Sequence, residues 1–530
     1  MTGRPSLEEA RARLKELGYL DAGVDRILFR PVFEGRGGAW LPAVAIGACG
    51  AALAAVAAVD ASEGGLGSLG SAAVLFTHLF IADLLPATIL AMALRFAAER
   101  TRAPGRVATA AGLTAAASLF ALWILGTYGL AREFSARSLL WGIPVAAASF
   151  WLAAAVRLAF LAGAFARSGS LPGRSARRVF AAAAACAMLS AVVLFSSRRA
   201  TPPVPAPPPS PRGAPVVVVA IDGLDLDGPG KPPRIAELLS RGATGWWPAA
   251  PLSPPELWTD LSTGAPARTH GVRALTRVRP AGSSLSVRPP LGTSWYLRRL
   301  GPLVGLVSNA PVSGADRRSL AFWEVSASAG IPSLAVNWWA SSNWPGATVI
   351  DNRFVFARSA DGVTADRTAV VLFEGLRNRG FGVEALYLPG CDIERDRGGA
   401  RQGALLRIEA LLADSIARSG RGELALVVLA ADSHPASRQP AGRMVVFDRP
   451  LSARTVQIRA ADVAPSILAR AGVPPARDLA GRPAGTLFAA GSLETATVAT
   501  YGPRVAPSAP PAVESDREYL DKLKSLGYLN

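Results

Sequence analysis

Charged side chains are scarce in this sequence. Asp, Glu, Lys and Arg together make up 18% of the 530 residues, whereas hydrophobic residues make up 50% and the mean hydropathy is +0.28. A disordered chain has a far smaller share of hydrophobic residues, and an ordinary cytosolic enzyme usually has a larger share of charged residues. The composition therefore excludes both a disordered chain and an ordinary cytosolic enzyme.

Cysteine is also scarce, and it indicates neither a disulfide framework nor a compartment. The three cysteines are Cys49, Cys186 and Cys391, and the first two lie within apolar runs. A disulfide scaffold needs several paired cysteines. The net charge of +17 does not indicate nucleic acid either, because the basic residues form no tract with interleaved aromatic residues. We therefore expect no nucleic-acid partner.

Long apolar runs fill the first 200 residues. Runs of about 20 apolar residues can cross a bilayer as helices. Five such runs lie at about 40–59, 69–94, 107–130, 138–163 and 179–196. The first begins too late in the chain to be a cleavable signal peptide. The sequence predicts an all-α transmembrane domain of five helices over 39–197, with the lipid bilayer as its partner.

Arginine distribution predicts the orientation of these helices. Arginines are frequent in segment 1–38 and in the loops after the second and fourth runs, but sparse after the first and third. Positive loops stay in the cytoplasm. The N-terminal segment is therefore expected to be cytoplasmic, and five crossings place everything after residue 200 outside. The high Ala, Arg, Gly and Pro content is typical of a high-GC bacterium, so we expect a multi-pass protein of the cytoplasmic (inner) membrane.

Three ionisable residues lie within the apolar runs: His78, Asp83 and Arg157. Each costs about a few kcal/mol near the middle of a bilayer, so each needs a structural or functional reason. Pairing between helices, or snorkelling for Arg157, is the simpler explanation. Polar contacts that line a cavity are the alternative.

The chain changes character after the apolar runs. Segment 198–214 is a proline-rich linker, which favours extended polyproline II. From 215 to 495, apolar β-branched runs alternate with helical patterns, and this predicts an α/β domain with a doubly wound sheet. A C-terminal linker and terminal helix follow over 496–530. After a first strand at about 215–222, further strands are expected at 303–308, 333–337, 368–373, 383–388 and 424–430.

A seven-residue sequence occurs at both ends of the chain. LKELGYL at 14–20 returns as LKSLGYL at 523–529. One interpretation is a generic amphipathic helix that ends in a glycine cap. The other is a docking element shared by the two ends.

Acidic residues follow three of the expected strands. Asp222 ends VVVVAID, Asp392 follows ALYLPGC, and Asp432 follows LALVVLAA. The carboxyl ends of parallel strands meet at one edge of a sheet. Because like charges gathered there repel unless a cation lies between them, the pattern predicts a metal site.

These motifs resemble the type I phosphodiesterase/nucleotide pyrophosphatase family of the alkaline phosphatase superfamily. The resemblance covers about 215–530 and rests on VVVVAIDGLD, LSPPELWTDLSTGAPARTHGV, NWWASSNWPGATVIDNR, LYLPGCD, VVLAADSH and ADVAPSILARAGVP, with LKSLGYL as a frequent ending. It implies an alkaline-phosphatase-like fold. Five spans followed by an outer domain of this kind are also the architecture of lipoteichoic acid synthases and lipid A phosphoethanolamine transferases.

The resemblance implies specific roles for site residues. Ser253 stands at the family's nucleophile position, and Asp222, Asp392 and Asp432 match metal ligands. His270 matches a family histidine that does not bind metal, so we expect it to support the fold.

The chain departs from the family at its other metal ligands. Asp396 stands where the family has a histidine four residues after Asp392, His434 is shifted by one position, and no histidine follows at 437–439. Oxygen-rich ligands suit Mg²⁺, Mn²⁺ or Ca²⁺ better than Zn²⁺. The expected cofactor is therefore a divalent metal, zinc or one of these harder ions, or none if the site is degenerate.

Three functions are compatible with these features. The first is metal-dependent hydrolysis of a phosphoester outside the cytoplasm, with a phosphorylated small molecule or a lipid- or glycan-linked phosphoester as substrate. The second is an inactive relative that binds a ligand or partner through the same cleft. The third is transfer of a phosphate-linked head group between membrane substrates. Five tryptophans could line a substrate face, or pack in the core or on the membrane-facing surface, namely Trp246, Trp247, Trp338, Trp339 and Trp344. Arg395 and Arg397 could meet a phosphate or only solvent.

Overall fold

The computed structural model describes most of both halves of the chain. The described residues are 9, 12, 16, 40–63, 69–100, 104–131, 136–165, 215–224, 226, 232–248, 252–280, 305, 307–395, 398–431, 441–448, 454–502, 504 and 513–529. The expected fifth span, the proline-rich linker and almost all of the first LKxLGYL copy lie outside these residues. Two compact units form: 1–199 with 278–309, and 200–277 with 310–530.

Four long apolar helices make up the described N-terminal region. They are α1 (Trp40–Glu63), α2 (Leu69–Arg100), α3 (Pro104–Ala131) and α4 (Ala136–Phe165). Each is long and apolar enough to cross a membrane, and together they match the first four predicted runs. Helix α1 contacts the other three, and its buried face is rich in alanine. Small residues of this kind let transmembrane helices approach closely.

Two hydrogen bonds involve polar side chains of these four helices. The Trp141 indole donates to Asp60 Oδ2 at 2.8 Å, and both side chains are buried. His78 Nδ1 is 2.7 Å from the Val74 carbonyl oxygen one turn earlier in the same helix. The His78 ring therefore bonds the backbone of its own helix, which is neither the predicted pairing between helices nor a contact that lines a cavity.

The second unit is built on a mostly parallel sheet of eight strands. In chain order they are β1 (Val216–Asp222), β2 (Ala243–Pro248), β5 (Ser333–Val336), β6 (Ala347–Ile350), β7 (Val383–Leu388), β8 (Ala425–Ala431), β9 (Ala441–Phe447) and β10 (Thr455–Gln457). The spatial order is β10-β2-β9-β8-β1-β7-β5-β6, with β9 antiparallel to both neighbours. Strands β3 (Thr276–Pro280) and β4 (Val307–Pro311) pair in a separate small sheet.

Helices lie between the strands, and two more follow the last strand. They are α5 (Pro233–Leu239), α6 (Pro254–Thr263), α7 (Ala267–His270), α8 (Phe322–Ser328), α9 (Asn352–Ala357), α10 (Gly362–Arg377), α11 (Gly390–Ile393), α12 (Gly398–Gly420), α13 (Val463–Arg470) and α14 (Val513–Ser525). Every residue of β1, β7 and β8 is buried, which requires that both faces of the sheet be covered. The core of this unit therefore lies on the three central strands.

Two strand predictions need correction. The expected strand 368–373 lies in α10, whose buried residues Ala365, Ala369 and Phe373 recur at a helical spacing of four. Asp361 caps this helix through the Thr364 N–H. The expected strand 303–308 begins only at Val307 and belongs to the small sheet. By contrast, the predictions at 333–337, 383–388 and 424–430 agree with β5, β7 and β8 to within one residue at each end.

Candidate metal and phosphoester site

Three neighbouring parallel strands end together at one edge of the sheet. Strand β1 lies between β7 and β8, with Ile221 in register with Leu388 and Asp222 in register with Ala431. The chain leaves β8 at Ala431, directly before the segment that carries Asp432. Topology and register therefore bring the ends of the three aspartate-bearing strands to one level.

Asp222 is the last residue of β1 and is completely buried. Its Oδ2 accepts a hydrogen bond from the Tyr387 hydroxyl at 2.7 Å. Its Oδ1 is also buried and has no hydrogen-bond partner of good geometry among the described residues, although the Trp258 indole lies within reach of the carboxylate. Burial raises the pKa of Asp222 well above its usual value and the charge of Asp392 raises it further, while Tyr387, Trp258 and Arg395 oppose the shift. The Asp392 charge is the second cause of this shift, after burial, so the two carboxylates lie close enough to interact electrostatically.

Asp392 lies on α11, the short turn that follows β7. Gly223 has a φ of +73° and approaches this turn so closely that a Cβ at position 223 would lie 2.6 Å from Asp392 Cα. Only glycine fits there, because it tolerates positive φ and has no side chain. Arg395 Nη2 lies 3.4 Å from Asp392 Oδ1, so the arginine that the sequence offered as a phosphate ligand also faces this carboxylate.

Two further acids hold the turn that carries Asp392. Asp366 Oδ1 accepts from the Gly390 N–H at 2.9 Å, and Glu394 Oε1 accepts from the Gly362 N–H at 2.7 Å. Asp366 on α10 thus accepts from the first N–H of α11, and Glu394, directly after α11, accepts from the first N–H of α10. Both acids are fully buried, and desolvation raises the pKa of Asp366 to about 8.

Aromatic side chains surround the Asp222 carboxylate. The Trp339 indole donates to the Tyr387 hydroxyl at 2.9 Å, and the Trp258 ring lies 5.2 Å from the Tyr387 ring. Trp338 and Trp339 are buried core residues, and Trp339 also contacts the ring of Tyr528. The core interpretation of these tryptophans is therefore correct, although Trp339 also orients the hydroxyl bound to Asp222.

The remaining predicted tryptophans lie elsewhere. Trp247 on β2 is buried, and Trp246 beside it is 38% exposed. The Trp344 indole donates to Ser328 Oγ at 3.0 Å.

Ser253 precedes the first turn of α6. Its hydroxyl donates to the Arg273 carbonyl at 3.0 Å, and its own carbonyl accepts from the Leu257 N–H. Trp258 is five residues further along the same helix, a rise of about 7 Å. Helix α6 therefore links Ser253 to the aromatic side chains around Asp222, while the serine hydroxyl bonds to backbone.

The buried His270 ring pairs with the partly exposed Asp260. The Val272 N–H donates to His270 Nδ1 at 3.0 Å, which leaves the hydrogen on Nε2 to bond Asp260 Oδ1 at 2.5 Å. Burial lowers the pKa of His270 well below its usual value, and the charges of nearby arginines lower it further, so the ring is neutral. This arrangement ties α7 to α6 and fits a role in supporting the fold.

The other predicted ligands lie outside the described residues, namely Asp396, Asp432 and His434. Within the described part of the chain, no three His, Cys, Asp or Glu side chains group closely enough to hold a metal ion. The described portion of the site thus consists of Asp222 and Asp392 and their supporting residues. Sequence reasoning missed Tyr387, Tyr528, Asp366 and Glu394.

Comparison with known proteins gives weak structural likeness. No family model and no curated protein matches the chain. One similar solved structure is the PH0037 protein from Pyrococcus horikoshii, with 12% identity over 49% of this chain and 97% of that chain and a TM-score of 0.32. Another is an inactive variant of murine ectonucleotide pyrophosphatase/phosphodiesterase 5 in complex with AMP, with 15% identity over 41% of this chain and 56% of that chain and a TM-score of 0.28. At such TM-scores the function has to be argued from this chain's own residues.

Proposed function

We propose that this protein is a membrane-anchored, cation-dependent phosphoester hydrolase of the phosphodiesterase/phosphatase type. Its sheet domain is proposed to lie outside the cytoplasm of a bacterial cell, with the N-terminus inside. The observation that carries the proposal is the proximity of Asp222 and Asp392 at the carboxyl edge of the sheet, where β8 also delivers the chain toward Asp432. Sites in α/β sheets form at this edge.

Two features of the described residues fit a bound cation. One is the buried Asp222 Oδ1, which has no hydrogen-bond partner of good geometry in the described region. The other is the repulsion between Asp222 and Asp392, which a cation between them would remove. Carboxylate oxygens suit Mg²⁺, Mn²⁺ or Ca²⁺ better than zinc. Asp396, Asp432 and His434 are proposed as additional ligands.

The chain's own residues then have separate tasks in hydrolysis. A bound divalent cation supplies the positive charge that stabilises a reacting phosphoryl group. Ser253 is the proposed nucleophile: a bond forms from its Oγ to phosphorus while the ester oxygen leaves with a proton, and water later breaks that bond. Before it attacks, the Ser253 hydroxyl has to give up its hydrogen bond to the Arg273 carbonyl.

Ligand binding without turnover is the second candidate. The Ser253 hydroxyl is bonded to backbone, and the raised pKa of Asp222 opposes the ionised form that a cation needs. These two observations favour a protein that binds a phosphoester or partner in the same cleft but does not hydrolyse it.

Substitutions in the full-length protein, purified in detergent, test the nucleophile. The measurements are Mn²⁺ binding and hydrolysis of a chromogenic phosphodiester. Ser253→Ala is expected to lower the turnover at least about a hundredfold while Mn²⁺ binding stays unchanged. The matched control is Ser333→Ala, because Ser333 also donates its hydroxyl to a backbone carbonyl, at 2.9 Å from the Ile331 oxygen.

Asp222→Asn and Asp392→Asn test the cation site. Each is expected to weaken Mn²⁺ binding at least about tenfold, while Asp521→Asn, which removes an exposed charge, is not. Wild-type binding of Mn²⁺ without hydrolysis would favour the second candidate. If neither site variant changes Mn²⁺ affinity, the proposed site is wrong.

A further inference from the structure

The second LKxLGYL copy forms a defined structure at the end of α14. Leu523 and Leu526 are buried, and Gly527 has a φ of +87°. The Tyr528 N–H then donates to the Leu523 carbonyl at 2.9 Å, which closes a glycine-type helix cap. This cap turns the chain back so that the Tyr528 side chain packs against the domain.

The Tyr528 ring packs against residues next to the carboxylate pair. It meets the Trp339 ring edge to face at 5.4 Å and stacks on Phe356 at 6.0 Å. Trp339 is the residue that donates to the Tyr387 hydroxyl, which in turn donates to Asp222. Tyr528 is therefore one aromatic contact away from the hydrogen-bond chain that ends on Asp222.

The Tyr528 hydroxyl lies within reach of the Tyr387 hydroxyl but forms no hydrogen bond of good geometry to it. Its oxygen is buried and has no hydrogen-bond partner of good geometry among the described residues. Burial raises the pKa of Tyr528 well above its usual value, and the charges of Asp392 and Asp222 raise it further. The neighbouring Tyr387 hydroxyl opposes the shift without cancelling it, so the phenol keeps its hydrogen at neutral pH. A buried hydroxyl without a partner costs free energy.

We propose that Tyr528 is a ligand-binding residue, and that its hydroxyl donates to a phosphoryl oxygen of the phosphoester bound at Asp222 and Asp392. The LKSLGYL segment then serves to hold this hydroxyl at the site. The proposal rests on the proposed function, because it assumes that a cation and a phosphoryl group bind at this edge of the sheet.

The difference between the two copies falls on the solvent side. They differ only where Glu16 replaces Ser525, and Ser525 is exposed, with its hydroxyl bonded to the Lys522 carbonyl in its own helix. Ser525→Glu makes the C-terminal copy identical to the N-terminal one and should leave ligand binding unchanged.

Two tyrosines on the terminal segment give a matched experiment. Tyr519 also has a buried hydroxyl without a hydrogen-bond partner of good geometry in the described region, and it stacks on Phe356. The charges that act on it are those of Arg353 and Asp351 rather than those of Asp222 and Asp392. Full-length wild type, Tyr528→Phe, Tyr519→Phe and Ser525→Glu are compared in detergent by calorimetry. Mn²⁺ binding is measured first, and then inorganic phosphate is titrated into the Mn²⁺-loaded protein.

Tyr528→Phe is expected to weaken phosphate binding about tenfold, the effect of one hydrogen bond to a charged group, and to leave Mn²⁺ binding unchanged. Tyr519→Phe and Ser525→Glu should match wild type in both titrations. Equal phosphate affinity in wild type and Tyr528→Phe, or an equal loss in Tyr519→Phe, would overturn the role of Tyr528 and leave the proposed function standing. Wild type that binds no Mn²⁺ would overturn both.

Discussion

The Tyr387 hydroxyl donates to Asp222 Oδ2 at 2.7 Å, and both groups are completely buried. A donated hydrogen bond favours the ionised carboxylate, so Tyr387 partly opposes the desolvation that raises the pKa of Asp222. The hydroxyl is fixed by the Trp339 indole, which donates to it at 2.9 Å. Tyr387 thus keeps Asp222 closer to the form that a cation requires.

Removing this hydroxyl should move cation binding to higher pH. Tyr387→Phe deletes a donor to the ionised form, so the pKa of Asp222 rises further and more of the carboxyl is neutral at pH 7. We expect Mn²⁺ affinity at neutral pH to fall about tenfold and the midpoint of its pH dependence to shift upward. Calorimetric titration with Mn²⁺ across a pH series measures both. Tyr501→Phe is the control, because Tyr501 donates its buried hydroxyl to the distant Pro474 carbonyl. An unchanged midpoint in Tyr387→Phe would contradict this role.

Asp366 should make the sheet domain less stable as the pH rises. Its pKa is about 8 in the folded protein and near 3.8 in an unfolded chain, so between these values the folded state holds one more proton. The contribution of the neutral form is fully present below about pH 4 and is lost as the pH rises through 8. Asp366→Asn stays neutral and can still accept from the Gly390 N–H.

The Asn variant should therefore gain stability over wild type as the pH increases. We expect little difference at about pH 4 and a gain of up to a few kcal/mol in the free energy of unfolding at about pH 8. Denaturant titration followed by tryptophan fluorescence measures the difference, with Asp521→Asn as the exposed control. A difference that stays constant with pH would show that Asp366 does not titrate in this window.

Sequence patterns revealed the framework of the site because its strands are fully buried. The runs that end at Asp222, Ala431 and Leu388 are continuous and apolar, which is typical of central parallel strands. The run at 368–373 has the same composition but lies in a helix. Only its spacing with Ala365, four residues before Ala369, distinguishes the two structures.

The supporting residues of the site could not be read from the sequence. Asp366 and Glu394 resemble the surface acids of ordinary helices until α10 and α11 pack together and bury them. Tyr387 stands within an apolar strand, where an aromatic residue normally only fills volume. Tyr528 is at the far end of the chain, and its repeated motif was compatible with either a generic capped helix or a docking element, without indicating what it contacts. In each case the role comes from contacts between distant segments, which local patterns do not encode.

Gly223 should control the position of Asp392. Alanine at 223 would adopt an unfavourable positive φ, and its Cβ would lie 2.6 Å from the Asp392 backbone nitrogen, so the turn has to move. Gly380 offers a matched control, because its φ is +80° but a Cβ there would meet nothing within 4 Å. Gly380→Ala should cost about 1 kcal/mol of stability and leave Mn²⁺ affinity unchanged.

Gly223→Ala should cost about 1–3 kcal/mol more than the control and weaken Mn²⁺ binding at least about tenfold, because backbone at the cation site is displaced. Denaturant titration and Mn²⁺ calorimetry on the two variants separate these effects. Because both alanines have the same φ penalty, any difference in Mn²⁺ affinity comes from the contact with Asp392. Equal Mn²⁺ affinity in the two folded variants would mean that the Asp392 turn does not contribute to the cation site.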